Sequence, residues 1–185
     1  MSRTYRLGRR EASVDRTTAA ILNATRALVS EAPAAGVSVG EVARRAGVSR
    51  ITVYNRFGSK SGLMQAIVPQ PRVGPLAHEP ADPREALRVR LLDACAQWAA
   101  NPALYRNLPS PTEPADRGDD HRLAERLVAA DALRPGCSIK EAEDVLLTLR
   151  SFAVFDGFYK DGRRTPAAVA EILLRLASGI LAYHP

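Results

Sequence analysis

Residues 38–57 read SVGEVARRAGVSRITVYNRF, and their spacing decides the fold of the first third of the chain. Ser38 stands three residues before Glu41, the pattern of a capping box. The hydroxyl accepts from the Glu41 amide while the carboxylate reaches back to the Ser38 amide. Val42, Ala43 and Ala46 then recur as an inward helical face, and Gly47 supplies the positive φ that closes a helix. Val48 offers an apolar plug in the turn, and Ser49 caps a second helix. With Ala43 and Gly47 small enough for close backbone approach, the stretch reads as two short helices joined by a tight turn.

The second of these helices carries two unlike faces. At about 100° per residue, Val53 and Phe57 share one side, and Ile51, Thr52 and Asn55 occupy the other, with Arg50 and Tyr54 at its edges. A β-branched apolar residue such as Ile51 suits a thymine methyl better than plain water. Asn55 can pair bidentately with adenine and Arg50 with guanine. The plainer alternative has Ile51 packed on a neighbouring helix and Asn55 merely solvated. As a group, the four residues suit a helix lying in the major groove of DNA.

Working outward, Ile21, Ala24, Leu28 and Val29 repeat at helical spacing between Asp15 and Ala32, and Pro33 with Gly36 ends that run. Beyond Phe57, Gly58 and Ser59 open a further helix through Lys60, Leu63, Met64 and Ile67, stopped by Pro69. Lys60 thus stands at a helix N-terminus, where its charge and free amides favour a phosphate oxygen. The fragment GSKS is no phosphate loop, because Ser59 separates the glycine from the lysine. Residues 1–14, with Arg3, Arg6, Arg9 and Arg10 and no apolar period, are expected to form a flexible basic arm. Such an arm reaches along phosphates or into a narrow minor groove, or serves only as a solubilising tail.

Charge follows this division. Residues 1–65 hold eleven Lys and Arg against four Asp and Glu, a net +7, whereas residues 66–185 hold fifteen against sixteen, a net −1. The excess positive charge coincides with the helix pair and implies a polyanionic partner. The same excess would also fit a basic tail that acts only in solubility.

Taken together, residues 17–67 resemble the DNA-binding domain of the TetR family of bacterial transcriptional regulators. EVARRAGVS, TVYNRF and the start SKxxL of the following helix carry the resemblance, above all the spacing of Tyr54, Phe57 and Lys60 after AGVS. It implies an all-α fold: an N-terminal three-helix helix-turn-helix DNA-binding domain plus a C-terminal helical domain for ligand binding and dimerisation. It also implies that Tyr54 and Lys60 touch phosphates, and that Arg50, Ile51, Thr52 and Asn55 face bases; Ser38 is a further candidate phosphate contact. Two departures stand out. Ile51 occupies a place where the family favours a small residue. Gly62 interrupts the helix after Lys60 at a propensity cost of about 1 kcal/mol, so that this helix is expected to start loosely.

The remaining sequence is expected to divide into a proline-rich linker at 69–83 and a helical domain at 84–185. Leu87, Leu91, Leu92, Cys95 and Trp98 mark one stripe, followed by a short helix around 103–108. NLPSPTEPADRGDD at 107–120 reads as an exposed loop. After a helix marked by Leu123, Leu127 and Val128, one long helix is expected from Ser138 toward Tyr159, and a last one from Thr165 through Ile180. These last two helices are apolar over more circumference than one core needs. The surplus implies a homodimer through a four-helix bundle, as the resemblance also does. The alternative is a larger monomer core. Trp98, Tyr105, Phe152, Phe155 and Tyr159 are candidate linings of a pocket for a small apolar effector, or ordinary core.

Composition narrows the function classes. No run approaches a membrane span, and MSRTYRLGRREASVD lacks the apolar stretch of a secretory signal, so a cytoplasmic protein without membrane association is expected. Cys95 and Cys137 stand far apart without metal-ligand spacing. His78, His121 and His184 are scattered, Asp119, Asp120 and His121 read better as a polar loop tip than as a metal site, and no nucleophile elbow occurs. The chain is therefore not expected to be an enzyme or to hold a metal or cofactor. Its expected role is that of a transcription regulator, a repressor that binds a palindromic operator in double-stranded DNA and is released by an effector. The rival is an architectural DNA-binding protein of low specificity and no ligand.

Overall fold

A computed structural model describes residues 3–68, 80–108 and 117–182, with side chains given from residue 15 onward and excepting Arg117. The described residues are helical apart from turns and one isolated antiparallel bridge, Leu133 with Leu181. The helices are α1 (Arg3–Glu31), α2 (Val39–Ala46), α3 (Arg50–Phe57), α4 (Lys60–Ile67), α5 (Pro83–Ala100), α6 (Pro102–Asn107), α7 (Arg117–Ala129), α8 (Ile139–Leu149), α9 (Phe152–Tyr159) and α10 (Pro166–Ala177). They fall into two compact units, residues 1–70 with 103–110, and residues 71–102 with 111–185.

In the first unit, Ile21 and Val29 of α1, Val42 and Ala43 of α2, Val53 of α3, and Leu63 and Ile67 of α4 form one buried core. Val48 packs against it from the turn, as its position between α2 and α3 requires. Leu104 of α6 completes the core. The Asn107 side-chain amide donates to the Val29 carbonyl at 2.8 Å, and the Ala34 amide donates to the Asn107 carbonyl at 3.0 Å. Sequence periodicity alone assigns residues 103–108 to the second domain. The polar anchor at Asn107 is what draws them into the first.

Two further expectations change in this unit. Helix α1 begins at Arg3, so the segment expected as a flexible arm has helical backbone. Arg, Leu, Glu and Ala are good helix formers and no proline intervenes, so the helix needs no apolar stripe there. The looseness expected at Gly62 is replaced by close packing. A Cβ built on Gly62 would lie 2.3 Å from the Phe57 carbonyl oxygen, so glycine lets α4 start directly against the end of α3.

The second unit packs α5 against α10, α7 against α8, and α9 against α5 and α10. Leu87, Leu91, Leu123, Leu127, Leu146, Phe155, Val169 and Leu173 are fully buried there. The long helix expected from Ser138 to Tyr159 is two helices, α8 and α9. The break falls at Arg150–Ser151, where the Ser151 hydroxyl accepts from the Val154 amide at 3.4 Å and so caps α9. Residues 117–120, expected in the exposed loop, form the first turn of α7, and Asp120 is buried in an ion pair with Arg150. Helix α10 ends at Ala177 and closes in a turn through Ile180. The expected linker falls largely on residues 69–79, which lie outside the described residues, as do His78, residues 109–116 and His184.

Candidate nucleic-acid interface

The turn between α2 and α3 forms as its residue types demand. The Glu41 amide donates to Ser38 Oγ at 3.1 Å, and the Ser38 amide to Glu41 Oε2 at 3.5 Å, completing the capping box. Gly47 takes φ +68°, and the Val48 amide donates to the Ala43 carbonyl at 2.9 Å. The Thr52 amide donates to Ser49 Oγ at 3.1 Å, which caps α3. From the far end of α2, Arg45 grips both carboxylate oxygens of Glu31 at 3.0 and 2.8 Å, tying α2 to the end of α1. That contact holds the Glu31 carboxyl below its ordinary range, chiefly through the hydrogen bond from Arg45.

Anchored by buried Val53 and half-buried Phe57, α3 turns its other side outward. Ile51 is 71% exposed and Tyr54 48%, unusual values for large apolar and aromatic side chains. Arg50, Asn55 and Arg56 are exposed as well. Neither the Asn55 side-chain amide nor the Tyr54 hydroxyl has a hydrogen-bond partner among the described residues, so both remain available to a ligand. Arg56 was not singled out from the sequence, although its exposure on the same short helix places it among the candidate contacts. Its place beside Asn55 was the available signal.

The other candidates are less free. Thr52 is half-buried, with its hydroxyl 2.9 Å from Ser49 Oγ, so the cap competes with base contact. The Ser38 hydroxyl is occupied by the capping box, 3.3 Å from Glu41 Oε2. Lys60 Nζ donates to the Ala35 carbonyl at 2.7 Å, in the loop before α2, and its other two protons remain for an anion. At the start of α4 the Gly62 amide already donates to Ser59 Oγ at 3.0 Å. Of Arg3, Arg6, Arg9 and Arg10, only the helical backbone is described.

Comparison with known proteins agrees with this geometry. Residues 21–67 match the family described as bacterial regulatory proteins, tetR family. A structure of NalD, the secondary repressor of the MexAB-OprM multidrug efflux pump in Pseudomonas aeruginosa, superposes with a TM-score of 0.74 at 26% identity, covering 92% of this chain and all of that one. The helix-turn-helix region at residues 21–67 is that of the TetR family. TylP, a TetR regulator from Streptomyces fradiae, shares the fold with a TM-score of 0.67 at 21% identity over 94% of this chain and 89% of that one. The HTH-type transcriptional regulator AlkX from Mycobacterium tuberculosis is 44% identical over 45 residues, 24% of this chain and 21% of AlkX. That match therefore spans about a fifth of the curated relative. The chain shares with these regulators an all-α fold, with a helix-turn-helix DNA-binding domain followed by a C-terminal helical domain.

In the second unit, four of the five aromatic candidates meet. Trp98 lies 5.3 Å from Phe155 and 6.3 Å from Phe152 between ring centroids, and Phe155 stacks on Tyr159 at 4.9 Å. Tyr105, on α6, belongs to the first unit instead. Trp98 and Phe155 are buried against one another, so these rings fill their space in this conformation. An open groove of about 490 Å³ runs along α8, lined by Ser138, Glu141, Val145 and Leu149 among others.

The polar residues of α7 take separate partners. Asp119 pairs with Arg122, Asp120 with Arg150, and His121 with Glu143 on α8, with Glu125 at 3.3 Å. Burial pushes the Asp120 carboxyl above its ordinary range, and the charge and hydrogen bond of Arg150 pull it back. The hydrogen bond to Glu143 raises the His121 pKa above its ordinary value. Burial lifts the Cys95 thiol to about 11, which leaves it an inert core residue at neutral pH. Among the described residues no group of His, Cys, Asp and Glu suits a metal ion, and no helix is long and apolar enough to cross a membrane.

Proposed function

We propose that this TetR-family regulator acts as a cytoplasmic repressor that binds a palindromic operator as a homodimer and leaves it when a small apolar effector binds. The observation that carries the reading is the outward face of α3. A fully capped helix, anchored by Val53, exposes Ile51, Tyr54 and Asn55 within the part of the chain that holds net charge +7. Ile51 and Asn55 read base edges; Tyr54, Lys60 and the arm arginines hold the phosphate backbone.

The dimer reading is supported by apolar side chains that the second unit leaves at its surface. Leu176 on α10 is 50% exposed, with Leu174 and, on α9, Val154 and Phe158 half-buried. A two-fold pairing of α8 through α10 covers them and sets the two α3 helices about 34–36 Å apart, one turn of DNA. An effector that binds one dimer arrangement more tightly shifts that separation. It would enter by parting the Trp98, Phe152, Phe155 and Tyr159 rings.

That the same rings close on one another favours a second reading, a ligand-independent architectural DNA-binding protein. Selecting bound sequences from random duplexes with the purified protein, then footprinting the DNA upstream of its own coding sequence, separates the two. A two-fold symmetric consensus protected in that region supports the repressor. Uniform binding to all duplexes with a steep salt dependence overturns it.

A further inference from the structure

At the start of α3 the Arg50 side chain turns back across the turn and lies on the first turn of α2. Gly40 is the residue it lies on. A Cβ built on Gly40 would sit 2.8 Å from one guanidinium Nη, 3.0 Å from Nε and 3.1 Å from Cζ. Three atoms of the planar group at nearly equal, sub-contact distances mean that the guanidinium occupies the space any side chain at position 40 would need. It makes no hydrogen bond or ion pair among the described residues, so shape holds it and all its N–H donors remain available.

We infer that Gly40 is a positioning residue that seats the Arg50 guanidinium against α2, and that Arg50 seated in this way binds a DNA phosphate instead of a guanine edge. The inference deepens the DNA-binding reading and rests on it. In a helix-turn-helix, the first helix crosses the sugar–phosphate backbone while the second enters the groove. A guanidinium laid on the first helix's opening turn is therefore carried on the element that meets phosphates, although its Cα belongs to the reading helix. A fork of free donors there suits a phosphate oxygen pair. Base reading then falls to Ile51, Asn55 and, in part, Thr52.

Gly40→Ala isolates the seat, because the atoms in its way belong to the far end of a flexible side chain and can move without unfolding the helix. The full-length protein should melt no lower than wild type, since alanine favours helix. The Arg50 Nε–H resonance, ordered in wild type, should become mobile in Gly40→Ala.

On DNA, Arg50→Ala should weaken binding to every duplex and reduce the magnitude of the salt slope by about 1, with the selected consensus unchanged. Gly40→Ala should do the same, and the double variant should match Arg50→Ala alone. Additive losses in the double variant, an Arg50 resonance equally mobile in wild type, or a changed consensus in Arg50→Ala would overturn the assignment. Wild-type protein that binds no duplex at all would sink the DNA-binding reading itself, and this one with it.

Discussion

Replacing Gly62 by alanine tests how α3 and α4 are joined. Sequence propensity alone says the change should help, since alanine in a helix is worth up to about 1 kcal/mol over glycine. The structure says the opposite. The new Cβ would lie 2.3 Å from the Phe57 carbonyl oxygen, where ordinary contact begins at 3.4 Å, so a gap of about 1 Å must open. The obstacle is backbone, so no rotamer change relieves it. The Phe57 carbonyl also accepts from the Ser59 amide at 2.7 Å, and turning it away weakens the connection that ends α3. Overpacking of this kind costs about 1 to 3 kcal/mol, and the propensity gain returns part of it. The expected net loss is about 1 to 2 kcal/mol, with about 4–8 °C in melting temperature for each kcal/mol in a unit of this size. Circular dichroism follows the helices of both units, while fluorescence of Trp98, the sole tryptophan, reports on the second, so the transition seen by the first probe and not by the second belongs to the first unit. A Gly62→Ala protein as stable as wild type, or more so, would refute the steric argument.

Other outcomes follow from the same structure. Asn55→Ala and Ile51→Ala should each change the consensus recovered from random DNA, whereas Tyr54→Ala should lower affinity for all duplexes alike. Unchanged consensus sequences in both of the first two variants would remove them from the base-reading face. Arg150→Ala should destabilise the second unit by about 3 kcal/mol in denaturant titration, because it strands the buried Asp120 carboxylate, and adding Asp120→Asn should recover most of the loss. His121 has its pKa raised in the folded state, chiefly by its hydrogen bond to Glu143, so its stabilisation is complete below about pH 6.5 and fades as pH rises through the raised value. Melting temperatures of wild type and His121→Gln, compared from about pH 6 to about pH 9, should therefore converge at the alkaline end.

Local chemistry made the centre of the first unit legible in sequence. Ser38 with Glu41, Gly47 and Ser49 act on atoms within a few residues, so the two helices and their turn could be placed from those positions alone. Helical period gave the outward direction of Ile51, Thr52 and Asn55, with Tyr54 at the edge of that face; Ile51, Asn55 and Tyr54 are exposed, while Thr52 is half-buried. What escaped was decided by atoms far apart in the chain. Asn107 finds the Val29 carbonyl, Arg150 finds Asp120, and Gly62 meets Phe57; none of these pairings leaves a periodic signal. Arg150 and Ser151 read as continuous helix because neither is a strong breaker, and only the tertiary ion pair and the serine cap show the interruption. Lys60 and Thr52 show the converse limit. Residue type marked them as ligand contacts, but nearby protein atoms also claim their polar groups.

The return of α6 to the first unit also has a bearing on how this protein is made. Leu104 and Leu108 complete a core whose other members lie before residue 70, and Asn107 bonds to backbone beside it, so the order of synthesis separates the last pieces from the rest by the whole of α5. On the ribosome the reading head can assemble early, but it gains its final hydrophobic and polar contacts only after residue 108 has emerged. A fragment cut at residue 70 would keep every side chain proposed to face DNA and still lack part of its own interior. Such a fragment should bind DNA more weakly than the same helices do in the full chain.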